Sequence, residues 1–328
     1  MTNPDPVDQL RPGMRAVVRH RIDHGVTDAV GDIVAIAADT ISVHTRHGLE
    51  TIARATVTAA KEVPPKPSRR GAPHLAVSMH DLERTMVQGW PPLERAELGG
   101  WLLRAGAGFT RRANSVLPLG DPGLSLSSAV DHCESWYDDR GLQRLFALFG
   151  PAGFTVENDP LGRELLDRAY RPFGSTSVLT AAVRRLPSEV PGPAGTVVRL
   201  ESAPSARWWK AWVSSDERNA SADPGAARAI VNGSPDQLFA SIEADGVVAG
   251  IARAAFGQGW AGVFALNVAP GHRRAGVAIR LMGALADAAR ARGIRSMYLQ
   301  ALNSSAPALG LYEQLGFSTH HEYCYLGG

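Results

Sequence analysis

Residues 266–292 constrain the fold more than any other stretch, because they read as the end of a strand, a short loop and a long helix. Apolar residues predominate from Trp260 to Val268, and Pro270 ends this strand because proline has no N–H to donate to a β-ladder. Beyond the loop, apolar residues recur at three- and four-residue steps, which predicts one face of an amphipathic helix. These apolar positions are Ala278, Leu281, Met282, Leu285 and Ala289.

The loop between this strand and this helix is basic and contains a glycine. Its sequence is Arg273-Arg274-Ala275-Gly276-Val277-Ala278. Unpaired N–H groups at the start of a helix bind anions, and a glycine there lets the backbone approach a ligand closely. The two arginines add positive charge. The segment therefore predicts a seat for a phosphate group.

The same segment resembles motif A of the GCN5-related N-acetyltransferase (GNAT) family, in which [Q/R]-x-x-G-x-[G/A] follows a strand ending in V-x-P. The matching residues are Val268, Pro270, Arg273, Gly276 and Ala278. Farther along, residues 294–302 read as the next strand, and residues 308–317 match the family's A-x-x-L-Y-x-x-x-G-F. We therefore identify the C-terminal part as a GNAT domain and expect an α/β fold with a mixed sheet.

This resemblance implies acetyl-CoA as co-substrate. In GNAT proteins the loop amides hold its pyrophosphate, and the pantetheine arm pairs with the preceding strand, where an amide stabilises the developing oxyanion. The implied cofactor-binding residues are Leu266, Asn267, Val268, Arg273, Arg274, Ala275, Gly276, Val277, Ala278 and Ile279. The alternative for residues 266–268 is a purely structural strand.

Tyr312 stands where the family has a tyrosine that donates a proton to the departing sulfur of CoA. A phenol has a higher reference pKa than a thiol, so it stays protonated near neutral pH and can act as the acid. The alternative is an aromatic residue that only packs within its helix.

One position departs from the family pattern. GNAT proteins often have an asparagine three residues before the alanine of A-x-x-L-Y, contacting the CoA arm, whereas this chain has Ser305 there and Asn303 two residues earlier. Either residue could bind the cofactor, or both could cap the loop.

The sequence does not identify a general base. Many GNAT proteins place a glutamate on the strand before motif A, but residues 260–268 contain no acid. The candidates are Glu243, Glu322, His320 and His321, and a water relay could serve instead. No metal is expected, because adjacent strand residues such as His320 and His321 point to opposite faces.

The N-terminal region predicts a small β-module. Strand-like runs occur at residues 14–18, 32–37, 41–45 and 51–58, and their close spacing favours an SH3-like barrel. Residues 1–62 hold seven Lys/Arg and eight Asp/Glu, a net charge of −1, whereas nucleic-acid modules show a basic face. A docking or structural role fits better than nucleic-acid binding.

The middle region resembles a degenerate copy of the last one. Helix and strand patterns around Gly141 and Tyr170 parallel those around Gly293 and Phe317, but Asp121-Pro122-Gly123 replaces the basic loop, so we expect no acetyl-CoA binding there. The arrangement resembles actinobacterial tandem-GNAT acetyltransferases with an N-terminal SH3-like domain. The predicted organisation is a barrel at 8–63, a linker at 64–77, a degenerate GNAT-like domain at 78–185, a linker at 186–195 and the catalytic domain at 196–328.

Two further clusters stay ambiguous in the sequence. The tryptophans Trp208, Trp209 and Trp212 fall in a predicted helix of the last domain, where they could line an acceptor cleft or pack the two GNAT-like units together. Arg111 and Arg112 could make an inter-domain contact or lie on an exposed strand edge.

Composition excludes several classes of protein. The formal net charge of +2 over 328 residues gives no strong attraction to nucleic acid or acidic membranes, and the two cysteines suggest no metal cluster or disulfide scaffold. No apolar run reaches membrane-spanning length, so we expect a cytoplasmic protein. The predicted function is acetyl-CoA-dependent N-acetylation of an amine on a small molecule or a protein. The alternative is a CoA-binding scaffold without turnover, its barrel recruiting a partner.

Overall fold

The computed structural model describes residues 5–23, 25–45, 48–63, 73–188, 196–244 and 246–328. They form three parts: an N-terminal sheet, a first unit (residues 73–188) and a second unit (residues 196–328). Most of both linkers predicted from the sequence, at 64–72 and 189–195, lies outside the described residues.

The N-terminal sheet contains the expected short strands. They are β1 (Arg15–Ile22), β2 (Gly25–Ile36), β3 (Thr40–Thr45), β4 (Gly48–Ala53) and β5 (Val57–Glu62). A 3₁₀ turn at Arg54–Thr56 divides the single strand expected at 51–58. All pairs are antiparallel, in the order β4-β3-β2-β1-β5. Among the described residues β4 and β5 are the two ends of this row, so the sheet does not close and the expected SH3-like barrel is not shown.

The first unit alternates helices and strands, as its sequence pattern predicts. Its elements are α1 (Pro73–Ala76), α2 (Met79–Gly89), β6 (Glu94–Leu98), β7 (Trp101–Ala105), β8 (Leu117–Pro118), α3 (Leu126–Asp138), β9 (Leu145–Gly150), α4 (Pro160–Asp167) and β10 (Arg171–Ala182). Helix α2 begins after Ser78, whose side chain accepts a hydrogen bond from the N–H of Asp81. Helix α1 lies inside the segment expected to be a linker, and its His74 is buried.

The second unit contains the strand, loop and helix of motif A. Its elements are β11 (Val197–Glu201), α5 (Ala206–Val213), α6 (Glu217–Ala220), α7 (Pro224–Val231), β12 (Gln237–Ala244), β13 (Val247–Gly257), β14 (Trp260–Val268), α8 (Val277–Ala291), β15 (Ser296–Leu302), α9 (Ala306–Gln314) and β16 (Ser318–Gly327). Helix α8 buries four of the five repeated apolar positions, and the fifth, Ala278, is half-buried.

The two units repeat one order of elements. Strands β6, β7 and β8 are antiparallel, α3 follows, and β9 runs parallel to β8 at the Val116–Phe146 bridge. Strands β12, β13 and β14 are likewise antiparallel, α8 follows, and β15 runs parallel to β14. A further helix and a final strand complete each series. The expected second acetyltransferase-like arrangement is therefore present in the first unit.

The units exchange their final strands. The large sheet has the order β11-β12-β13-β14-β15-β10-β16-β9, so β10 of the first unit lies between β15 and β16 of the second. Strand β10 pairs antiparallel with β15: Thr176 lies opposite Leu302 at one end, and Ala182 lies opposite Ser296 at the other. Strand β16 in turn pairs with β9 of the first unit. Each unit therefore depends on a strand from the other.

A buried arginine also joins the two units. Arg253 on β13 is fully buried and donates hydrogen bonds to the carbonyl of Gly89 at the end of α2 (2.8 Å), to Ser234 (2.8 Å) and to Gln237 (2.7 Å). Burial lowers its pKa to about 10, which leaves it charged at neutral pH. These hydrogen bonds offset the cost of burying the charge.

The N-terminal sheet contacts the first unit through arginines. Arg163 of α4 donates to the carbonyl of Ile36 on β2 (2.8 Å), and Arg11 lies 3.5 Å from the carboxylate of Asp159. Both side chains of this ion pair are less than a tenth exposed.

We expect residues 196–328 alone not to fold, because removing β10 leaves the facing edges of β15 and β16 unpaired. A fragment of residues 73–328 retains both exchanged strands and should unfold cooperatively. Size-exclusion chromatography and thermal circular dichroism of the two fragments check this. A monomeric, cooperatively unfolding 196–328 fragment would show that the exchange is dispensable.

Histidine 80 makes stability depend on pH. Its ring, 4% exposed, contacts Phe149 edge-on at 5.0 Å, and its Nε2 is buried without a partner among the described residues. Burial, reinforced by the charges of Arg11 and Arg84, lowers its pKa from 6.5 to about 4. The folded state thus binds fewer protons than the unfolded chain between these two pH values.

We expect the free energy of unfolding to fall as pH drops from 6.5 towards 4, with His80 contributing about 1–3 kcal/mol. His80→Met should flatten that part of the profile, whatever it does to stability at pH 7. His132→Gln, at an exposed position of α3, is the control. Urea unfolding at several pH values measures this, and an unchanged slope in His80→Met contradicts it.

Candidate active site

A cavity of about 720 Å³ opens where β14 and β15 diverge. The two strands pair in parallel from Trp260–Ser296 to Val263–Leu299, and no further pairs follow among the described residues. Phe264 and Leu266 line the cavity from β14, and Gln300 and Leu302 line it from β15. The divergence of parallel strands therefore creates a space next to motif A.

A bulge in β14 lies at the wall of this cavity. Phe264 pairs with Arg253, but Asn267 pairs with Ile251, so one extra residue stands on the β14 side. Ala265 there has a φ of 53°, a left-handed conformation that costs energy for a residue other than glycine. A bulged residue leaves the ladder, which frees peptide groups to face a ligand.

The loop after β14 leaves the N-terminus of α8 open. Gly276 precedes the helix with a φ of 74° and provides no side-chain cap. The first N–H groups of a helix have no intrahelical partner, so those at the start of α8 can bind an anion. Gly276 and its neighbours Arg273, Arg274 and Ala275 are exposed, Ala278 and Ile279 are half-buried, and Val277 is buried. The predicted seat thus has the geometry of an anion site.

Helix α3 of the first unit, which corresponds to α8, has a capped N-terminus. Ser125 precedes α3, and its side chain accepts a hydrogen bond from the N–H of Ser128. A hydroxyl group therefore occupies the place where an anion would bind. Of the two equivalent helices, α8 has the free N-terminus.

Tyr312 lies on α9 and lines the cavity. Its hydroxyl has no hydrogen-bond partner among the described residues, and its ring packs edge-on against Phe317 at 5.9 Å. Burial raises its pKa to about 12, so the phenol is protonated at neutral pH. Tyr312 therefore has the ring contact expected of a packing residue and the unpaired hydroxyl expected of a proton donor.

The polar residues after β15 make contacts within the protein. Asn303 accepts a hydrogen bond from Ser177 (2.8 Å) and donates one to Glu322 (3.3 Å). Ser305 precedes α9 and forms no side-chain cap. Neither Asn303 nor Ser305 lines the cavity. Asn303 thus joins β10 and β16 to the end of β15.

The four candidates for a general base lie outside the cavity. Glu243 pairs with Arg207 at 2.9 Å, and it belongs to β12, which β13 separates from the motif A strand β14. Glu322 accepts a hydrogen bond from the N–H of Gly153 at 2.9 Å.

The two histidines are likewise engaged elsewhere. The expectation that they point to opposite faces was wrong, because β16 bulges at His320 and the two Nδ1 atoms lie 2.8 Å apart. His321 is buried with Nε2 2.9 Å from Glu83, and His320 Nε2 lies 2.9 Å from the carbonyl oxygen of Val77. Burial lowers the pKa of His320 to about 4. The carboxylate that does line the cavity, within the described residues, is Asp223, which caps α7 by accepting from the N–H of Ala226. No group of three or more potential metal ligands occurs in the described part of the chain.

The tryptophan cluster packs the two units together. Trp208 is fully buried and donates to the carbonyl oxygens of Ala240 (3.1 Å) and Ala252 (3.2 Å). Trp212 contacts Phe109 of the first unit edge-on at 5.8 Å. Trp208, Trp209 and Trp212 do not line the cavity, so the packing interpretation is the one that the structure supports.

The first unit contributes a loop that the sequence did not identify as part of the site. Residues 107–112 line the cavity of the second unit, with Ala107 and Thr110 at φ values of 51° and 57°. Asn114 holds this loop, because its side chain accepts from the N–H groups of Gly106 (2.8 Å) and Gly108 (2.9 Å). The paired arginines were the signal present in the sequence, and the packing of the first unit against the second brings them to the cavity.

Comparisons with known proteins agree with this fold. The family described as "Probable histone acetyltransferase Rv0428c C-terminal" matches residues 77–326. The uncharacterized N-acetyltransferase YobR of Bacillus subtilis is 26% identical over 252 residues, which cover 74% of this chain and 96% of that protein. The probable histone acetyltransferase Rv0428c of Mycobacterium tuberculosis is 33% identical over 141 residues, covering 42% and 44%.

Solved structures share the architecture. A GCN5-related N-acetyltransferase from Kribbella flavida has a TM-score of 0.55 and 16% identity, covering 76% of this chain and 94% of that one. A tandem GNAT protein from the clavulanic acid biosynthesis pathway has a TM-score of 0.52 and 13% identity, covering 80% and 90%. These likenesses show a tandem GNAT fold.

Within the described residues, no helix is both long enough and apolar enough to cross a bilayer.

The family match extends over more than half of the 328 residues. The chain therefore belongs to the family of the probable histone acetyltransferase Rv0428c C-terminal region, and it is a GNAT acetyltransferase.

Proposed function

We propose that the protein transfers an acetyl group from acetyl-CoA to an amine at the cavity between β14 and β15. The observation that carries this proposal is the free N-terminus of α8 beside a bulged strand that lines the same cavity as Tyr312. The bulge at Ala265, Leu266 and Tyr312 line the cavity, whereas Asn267, Val268 and residues 273–279 continue the chain beyond its lining. The cofactor would therefore extend from the cavity along the end of β14 to the start of α8.

The cofactor would bind along motif A. Its diphosphate would accept hydrogen bonds from the amides of residues 274–279, with Arg273 and Arg274 adding charge. The pantetheine arm would pair with Leu266, Asn267 and Val268 as an added strand. The parts nearest the thioester would then reach the bulge at Ala265. Asn303 has less support as a cofactor ligand, because its side chain already bonds Ser177 and Glu322. Ser305 stands at the start of α9 and, like the motif A loop, does not line the cavity.

The chain's own groups account for the two charges that develop during transfer. The amine nitrogen forms a bond to the thioester carbon, and a free peptide N–H of the β14 bulge stabilises the oxyanion. The carbon–sulfur bond then breaks, Tyr312 gives its proton to the sulfur, and solvent reprotonates the phenolate. The proton lost by the amine passes to water, since the candidate bases lie elsewhere.

The other parts of the chain would support this site. We propose that the first unit binds no acetyl-CoA, because Ser125 occupies its helix end. The N-terminal sheet, whose strand order would suit an open SH3-like fold, would serve as a docking or structural module. A cytoplasmic location agrees with these roles.

Release of CoA upon addition of amines tests the activity directly. A panel of small amines and lysine-containing peptides, followed with a thiol-reactive dye, should give amine-dependent release. Tight CoA binding with no release for any amine would instead favour the scaffold alternative.

Gly276→Asp should weaken acetyl-CoA binding by roughly tenfold or more, because a carboxylate would repel the diphosphate at close range. Gly293→Asp is a matched control at the other end of α8. Both glycines have left-handed φ values, 74° and 70°, and open space where a Cβ would be added. Isothermal calorimetry measures the binding, and equal losses in both variants would point to strain rather than to the site.

Tyr312→Phe should lower kcat by about 10²–10⁴-fold while the Kd for acetyl-CoA stays nearly constant, because only the proton donor is removed. Tyr323→Phe is the control in the same cavity, since that hydroxyl already donates to Gln300 at 3.1 Å. Steady-state kinetics and calorimetry on both variants make the comparison. Wild-type turnover in Tyr312→Phe would remove this residue from the acid role.

A further inference from the structure

Arg112 of the first unit has an unsatisfied guanidinium at the cavity of the second unit. An arginine carries five N–H donors, yet Arg112 makes no side-chain hydrogen bond and no ion pair among the described residues. Its Nε is buried without a partner. The nearby buried arginine Arg104, in contrast, donates to the backbone oxygen of Ser115 (3.0 Å) and to its hydroxyl (2.7 Å). Leaving a charged donor unpaired is costly, so Arg112 is arranged for an external partner.

The position of Arg112 is fixed beside the reacting groups. Its guanidinium carbon lies 5.5 Å from the ring centre of Phe264 and 5.9 Å from that of Trp90. Phe264 immediately precedes the bulged Ala265, and both line the cavity together with Arg112. The two aromatic rings lie against the cation, and its N–H donors have no partner among the described residues.

The charges of the cavity favour an anion. Among the described residues, the charged side chains that line it are Arg111, Arg112, Arg218 and Asp223. Arg218 is bound to Asp216 at 2.7 Å, and Asp223 caps a helix. Arg111 lies over the ring of Phe173 at 4.8 Å and has no carboxylate partner in the described chain. The buried Glu83 acts electrostatically on Arg112, but it lies against His321 and makes no ion pair with the arginine. The region of Arg111 and Arg112 is therefore positive, with no carboxylate in direct contact with either side chain.

We propose that the acceptor is a small amine that also carries a carboxylate, and that Arg112 binds this carboxylate. This inference rests on the proposed function and adds its substrate class. A planar guanidinium binds a carboxylate through two parallel N–H···O bonds, which positions as well as attracts. The first unit thereby acquires a role, since it supplies the residue that determines specificity for a reaction carried out on the second unit.

The loop is rigid enough for this role. Thr110 has a φ of 57°, which is rare for a β-branched residue and is retained at sites where the surroundings impose it. The Asn114 side chain also donates to the carbonyl oxygens of Phe109 (2.7 Å) and Thr110 (2.8 Å), in addition to the bonds that it accepts. Arg112 is thus presented from a braced turn.

Matched acceptors test the proposal. 5-Aminopentanoate, 5-aminopentanamide and 1,5-diaminopentane present the same amine on chains that end in a carboxylate, a neutral amide and a cation. We expect kcat/KM to be roughly tenfold to a hundredfold higher for the carboxylate than for the amide, and lowest for the diamine. Equal values, or a preference for the diamine, overturn the proposal.

Substitutions test whether Arg112 causes the preference for the carboxylate acceptor. Arg112→Met should abolish the ratio between carboxylate and amide, whereas Arg112→Lys should retain part of it, because lysine keeps the charge but loses the planar fork. Arg218→Met, which removes a cavity arginine already paired with Asp216, should leave the ratio unchanged. A thermal melt of each variant identifies loss of folding. Loss of stability in Arg112→Met with an unchanged ratio would show that Arg112 only packs against the aromatic rings.

A binding experiment separates this inference from the proposed function. Glutarate, a dicarboxylate without an amine, is titrated into protein saturated with CoA. Heat that disappears in Arg112→Met and persists in Arg218→Met supports the anion site, even if no amine is acetylated. An absence of heat in the wild type, together with no preference among acceptors, overturns it even if CoA binds and acetylation occurs.

Discussion

The pairing of β10 with β15 is the interaction on which the rest of the structure depends. Strand β15 forms one wall of the cavity, and its other edge is covered by a strand that belongs to the first unit. This strand exchange holds the first unit next to the second, and residues 107–112 of the first unit line the cavity. The pairing fixes how the two units meet, and side-chain contacts such as that of Phe109 with Trp212 hold the loop against the second unit.

The two units differ at the residue that precedes the helix after their third antiparallel strand. Both place a helix after three antiparallel strands, so both have a helix N-terminus directed at the space beside a parallel strand. In the first unit Ser125 satisfies that end with its own hydroxyl, whereas Gly276 leaves the end of α8 free. The two helices thus differ at their N-termini: that of α3 is capped by its own sequence, and that of α8 is open.

Local features could be predicted from the sequence, and features that depend on distant pairing could not. The motif A strand, its helix and the Ser78 cap follow from periodicity, proline and capping residues that act within a few positions. The strand exchange could not be predicted, because an apolar run such as residues 176–182 does not indicate which edge it pairs with. For the same reason the barrel was expected from strand spacing alone, whereas closure requires a pairing between β4 and β5 that the described residues do not show.

The charge of the cavity also could not be predicted from the composition of the chain. A net charge of +2 over the whole chain conceals a cavity in which two arginines lack carboxylate partners among the described residues. The same arginines bear on the missing general base. A positive environment disfavours the protonated form of an amine and lowers its pKa. The carboxylate of a bound acceptor would neutralise Arg112, so Arg111, which has no carboxylate partner in the described chain, would be the charge left to lower the pKa of the amine. The two adjacent arginines would then divide the work, with Arg112 selecting the acceptor and Arg111 favouring its neutral amine.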